Sequence, residues 1–137
     1  MRLFPTNGLP LARVPSLEGL EINGYYLPPG VQLTVYSWAL HRNKKLFGED
    51  ALEYKPERWP DEKRSQDLRR CFFSFGYGSR GCLGRNVAWM EMLKAISTFF
   101  RSHDVHLEDP HADWVVEGGF IKGQTNINVV LKARQDE

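Results

Sequence analysis

From Phe73 to Arg85 the chain reads FSFGYGSRGCLGR, in which Gly76, Gly78, Gly81 and Gly84 surround Cys82 and Arg80. Glycine weakens the interior of a helix or strand by about 0.5–1 kcal/mol relative to alanine, so a run this rich in it reads as a turn. Immediately afterwards, RNVAWMEMLKAISTFFRS places Trp89, Leu93, Ile96 and Phe100 at helical spacing, with Met92 and Phe99 widening the stripe. The spacing predicts a helix over 85–102. The chain must therefore fold so that a bare turn delivers one cysteine to the start of a long helix.

Around this feature the elements are short. LPLARVP, residues 9–15, is held extended by its prolines, each of which disfavours helix at the residue before it. In GLEINGYYLPPGVQLTVYSWAL, Leu20 and Ile22 and then Val31, Leu33 and Val35 alternate with more polar neighbours, which predicts strand, PPG turn, strand. Residues 39–49 read as one or two helical turns. Residues 54–70 are polar and proline-interrupted, which argues against a long regular element there. In the tail, apolar runs around Phe120 and Val129 flank Gly123 to Asn126, and a terminal hairpin joining them is expected.

A chain of 137 residues, 42% hydrophobic, is long enough to enclose a core. Its formal charge of +1 supplies no global field for nucleic acid. No apolar run approaches the roughly 18 residues of a membrane span, so the chain as given reads as soluble. Cys71 and Cys82 are too few for a disulfide framework, and a reduced thiol is the default. His41, His103, His106 and His111 lack finger spacing and a CxxC partner, and read as scattered surface histidines rather than a zinc site.

What, then, does Cys82 do? Glycines before a helix can cradle a phosphate, but GxxxxGK[ST] is missing and no strand leads directly into GxGxxG. A thiolate ligand explains more of the residues. Backbone N–H groups and a helix N-terminus converging on sulfur favour its charge, and missing side chains let a flat, bulky cofactor approach the backbone. The plainer alternative is a sharp turn with Cys82 as a small buried hydrophobe.

The full residue order shifts the balance toward the thiolate. Phe75-Gly76-Tyr77-Gly78-Ser79-Arg80-Gly81-Cys82-Leu83-Gly84 resembles, at every defined position, the FxxGxRxCxG signature of the cytochrome P450 family, the haem-thiolate monooxygenases. Pro56-Glu57-Arg58-Trp59 is similar to the family's PERF-type segment with tryptophan in the last place, and WALHRN and FGEDALEYKPERW are similar to fungal members. The resemblance implies an α+β fold: the C-terminal fragment of the cytochrome P450 fold, with β-hairpin, meander, cysteine-ligand loop, long helix and terminal β-hairpin. It implies that residues 1–137 are the C-terminal part of such a domain, with the haem-binding loop at 75–84 and the N-terminal and distal-helix part absent.

The same resemblance assigns roles. Cys82 is the catalytic axial ligand of the iron of haem b, Phe75 packs beside the sulfur, and Gly78 and Gly84 give clearance to the macrocycle. Arg80 pairs with a propionate, and Arg13 is a second propionate candidate. GGFIKGQ, around Phe120, falls where members carry a substrate-contacting turn. Arg2 matches the arginine of the ExxR motif, whose glutamate would precede Met1; Arg2 and Arg58 are therefore expected to meet without it and to face water.

The implied activity is oxidation of a small organic substrate with O₂ and electrons drawn from NADPH through NADPH-cytochrome P450 reductase. Fungal secondary metabolism or detoxification is the implied setting, and Arg69, Arg70 and Arg85 are candidates for docking the acidic electron donor. Family members usually sit at the endoplasmic reticulum membrane. The alternatives are a truncated, catalytically inactive remnant, or a haem-binding module completed by another chain.

Overall fold

The computed structural model describes residues 1–134; the last three residues of the expected 1–137 part lie outside it. Two units form. One comprises Met1–Gly76 with Gly119–Lys122, the other Tyr77–Gly118 with the chain from Gly123 onward.

The first unit begins with four short strands, β1 (Leu11–Arg13), β2 (Leu20–Ile22), β3 (Tyr25–Leu27) and β4 (Leu33–Val35). The expected strand–PPG–strand hairpin is corrected by their pairing. β2 pairs with β3, Leu20 opposite Leu27, and β4 pairs with β1, Val35 opposite Leu11. The turn that wins is Asn23-Gly24, both residues with positive φ (51° and 81°), the backbone twist a tight hairpin requires. PPG instead carries the chain from one pair to the next.

Two helical turns follow as expected, α1 (Ser37–Leu40) and α2 (Lys44–Phe47). The Asn43 side chain caps α2 by accepting from the Lys45 N–H at 2.9 Å. Pro56–Arg58 forms a 3₁₀ turn, and α3 (Glu62–Arg70) then occupies a stretch expected to be irregular. The prolines lie before this helix, the last being Pro60, so none interrupts it. Ser65 and Leu68, three apart, give it a buried edge, while Glu62 in its first turn and Arg69 and Arg70 in its last suit the helix dipole.

Phe47, Ala51 and Leu68 form the core of this unit, with Trp59 and Cys71 packed against it and His41 and Pro5 fully enclosed. Burying a phenylalanine side chain contributes about 1.5–3 kcal/mol.

Arg2 and Arg58 are also inside, at 7% and 3% exposure, which corrects the expectation that they face water. Both are solvated by backbone. Arg2 donates from Nη1 to the carbonyls of His41 and Ala51 and from Nη2 to that of Glu53. Arg58 donates to the Phe47 carbonyl at 3.0 Å, the Asp50 carbonyl at 3.0 Å and the Asp50 carboxylate at 3.2 Å. Burial, then the nearby Arg58 and Arg42 guanidiniums, push the Arg2 pKa below its ordinary value, and Asp50 opposes them. Lys55, and after it Arg58, hold the Asp50 carboxyl down at about 2.

The second unit contains the long helix α4 (Arg85–Ser102), with the bounds expected from its period. Its packing is different from a core helix: none of its residues is buried, and Leu93, Ile96 and Phe100 are 64%, 57% and 52% exposed. β5 (His103–Leu107) continues directly from it. The tail does contain a hairpin, but over other residues than expected. β6 (Val115–Glu117) pairs with β7 (Gly123–Thr125), and β8 (Val129–Ala133) returns to β5, His103 opposite Ala133. The Phe120 run is not a strand partner of the Val129 run. Its segment belongs to the first unit, where the Gly8 N–H donates to the Phe120 carbonyl and the Lys122 N–H to that of Thr6.

Candidate cysteine loop

Gly76 closes the entry to the loop: its N–H donates to the Phe73 carbonyl at 3.0 Å, and its φ of 68° is in the left-handed region. In the second unit, Tyr77 is extended, Gly78–Arg80 makes one 3₁₀ turn closed by the Gly81 N–H on the Gly78 carbonyl, and Gly84 leads into α4. Gly78 also has positive φ, 66°, which a side chain rarely adopts. Cys82 is exposed, which removes the reading of it as a small buried hydrophobe. The Arg85 N–H donates to its carbonyl at 3.3 Å, while no side chain caps the start of α4.

The space near the thiol is open. A Cβ built on Gly78 meets nothing within 4 Å, and one on Gly84 meets only the Cys82 Sγ, at 4.0 Å. Gly78, Arg80, Cys82 and Gly84 thus lie on one loop of two successive turns, and Arg80 is exposed on it. The other two expected residues belong to the first unit. Phe75 is half-buried on the stem, and Arg13 is half-buried on β1, donating to the Ala12 carbonyl at 2.8 Å. Arg69 and Arg70 end α3 on exposed positions, Arg70 lying 3.8 Å from Asp67.

One residue at the stem escaped the sequence reading. His41 is not a surface histidine but fully buried, stacked on Phe72 with centroids 5.4 Å apart and edge-on to Phe47. Its Nε2 accepts from the Phe73 N–H at 2.8 Å, and its Nδ1 lies 3.0 Å from the Arg2 carbonyl oxygen. Its position in the apolar run WALH is the one signal that pointed inward.

The arrangement of small sheets and one long helix is that of the cytochrome P450s. A crystal structure of a cytochrome P450 superposes with a TM-score of 0.81 over 97% of this chain and 29% of its own, at 24% identity. The chain belongs to the cytochrome P450 family, whose sequence model matches residues 1–131. It is 34% identical over 134 residues to cytochrome P450 monooxygenase cicH of Emericella nidulans, covering 97% of this chain and 27% of that protein. It is 40% identical over 114 residues to pisatin demethylase of Fusarium vanettenii, covering 83% and 22%. The chain therefore spans about a quarter of the length of these relatives.

Proposed function

We propose that residues 1–137 form the C-terminal, cysteine-bearing part of a fungal cytochrome P450 monooxygenase, with Cys82 as the axial ligand of haem b iron. The observation that carries this reading is the exposed thiol in a turn whose glycines leave the adjacent space open. The residues fit the group: one soft sulfur donor, room for a planar ring at Gly78, and an exposed guanidinium on Arg80 for a propionate. When bound, haem supplies the activation of O₂, so that a substrate R–H, O₂, two electrons and two protons give R–OH and water.

The protein's own residues hold and orient. Cys82 follows the turn closed by the Gly78–Gly81 hydrogen bond and leads into α4, whose N-terminal dipole end complements negative charge there. Gly78 and Gly84 keep the ring's approach clear. Arg80, on the same loop as Cys82, would take a propionate. Electrons come from NADPH through NADPH-cytochrome P450 reductase, with Arg69 and Arg70 at the end of α3 as cationic contacts for the acidic donor. The names of the fungal relatives, monooxygenase and demethylase, support a small organic substrate in secondary metabolism or detoxification. No helix among the described residues is long and apolar enough to cross a membrane.

A second reading, a haem-binding module completed by another chain, is favoured by α4, whose apolar stripe leaves Leu93, Ile96 and Phe100 more than half exposed. The test is to add haem to the 137-residue chain, reduce it under carbon monoxide and record the Soret band. A strongly red-shifted band that Cys82→Ala abolishes supports thiolate ligation, and an unchanged band in that variant overturns it. Turnover with reductase is expected only once the remainder of the fold is supplied; product from this chain alone would refute the second reading.

A further inference from the structure

His41 lies outside the cysteine loop yet holds its stem. Its two ring nitrogens face backbone groups of two different segments, the Arg2 carbonyl and the Phe73 amide. An amide nitrogen only donates, so Nε2 must accept; Nδ1 therefore carries the ring proton and donates to Arg2. One of the two neutral tautomers satisfies both neighbours and the other satisfies neither. In the imidazolium, the Nε2 proton would point at the Phe73 N–H, donor against donor.

Burial and the nearby guanidiniums oppose that second proton. Arg2 lies on the first segment and Arg42 ends the turn after α1; both are cationic. Phe47 on α2 and Phe72 and Phe73 after α3 offer no counter-charge. Burial first, and then these cations, bring the ring's pKa from 6.5 down to about 4, against the upward pull of the Arg2 carbonyl.

We propose that His41 is the positioning residue of the cysteine loop: its neutral Nδ1–H tautomer fixes Phe73, the first residue of the stem leading to Cys82, and proton uptake releases it. Phe73 passes the constraint on, because its carbonyl accepts from Gly76, the left-handed residue at the loop entry. The functional side of the proposal rests on Cys82 being the iron ligand; the latch itself does not.

Opening the stem lets the ring titrate at its ordinary value, so opening becomes easier as pH falls below 6.5. The measurement is amide hydrogen exchange of residues 71–76 in the 137-residue chain, corrected for intrinsic rates. Between pH 7.5 and 5, protection should fall about 30-fold, the ratio set by pKa values of 6.5 open and about 4 closed. In His41→Gln, whose amide oxygen can accept from Phe73 without titrating, the profile should be flat. Protection independent of pH in the wild type, or a wild-type slope in His41→Gln, overturns the latch.

The haem-loaded, reduced, carbon monoxide-bound chain then tests the coupling. The red-shifted Soret band should decline over the same pH range in the wild type and not in His41→Gln. A band that holds while the stem opens overturns the positioning role. A band indifferent to Cys82→Ala refutes the ligand assignment and with it that role, while the exchange profile still judges the latch.

Discussion

The two units invert the usual division of residues. In the first, Arg2 and Arg58 are enclosed and their Nη groups donate to carbonyls and a carboxylate; in the second, an 18-residue helix with an apolar stripe has no fully buried residue. Charge is tolerated inside where the backbone bends its carbonyls toward it, as residues 47–53 do around Arg2 and Arg58. Apolarity alone does not bury a helix. It needs a facing surface, and sheet pairing between β5 and β8 offers α4 only its end.

If this contrast is real, the charged centre of the first unit should matter as much as its oily one. Phe47→Ala empties a fully buried site and should cost about 3–5 kcal/mol in denaturant unfolding. Arg58→Ala leaves two carbonyls and part of Asp50 unpaired, and its cost should be of the same order, about 3–5 kcal/mol. A loss below about 1 kcal/mol in that second variant would break the comparison, since it would make the arginine a passenger.

Acid should act on the first unit through His41 and Asp50. His41 is neutral when folded, its pKa lowered to about 4, so its contribution is complete above 6.5 and is lost as pH falls toward 4. The full loss is up to roughly 3 kcal/mol, about 1.4 kcal/mol per pH unit. Asp50 extends the decline, because a carboxylate lowered to about 2 stabilises above pH 4 and releases that stabilisation as pH falls through 2. A midpoint of unfolding constant from pH 7 to 4.5 would contradict this. The smallest effect should come from the second unit: Leu93→Gln, at a position 64% exposed, should change stability by less than about 0.5 kcal/mol while reducing self-association in light scattering.

How legible all this was in the sequence varied with distance along the chain. The α4 bounds were readable because a 3.6-residue period and the glycine before it are local signals. Cys82 and its glycines were readable because their order is short and continuous. Hairpin partners were misread where two turn signals competed; Asn23-Gly24 supplies the primed twist that PPG lacks. α3 was obscured by prolines that lie just outside it. The burial of Arg2, Arg58 and His41 depends on carbonyls and amides contributed 8 to 51 positions away, and no periodicity encodes those partners.

The pairing of β5 with β8 also constrains biosynthesis. Residues 103–107 cannot find their partner until 129–133 have left the ribosome. At about 5–20 residues per second, the intervening stretch leaves that strand edge open for seconds, beside a helix with its apolar stripe uncovered. Until the two strands pair, that open edge and the aromatic and aliphatic surface beside it are where proteolysis or aggregation would compete with folding.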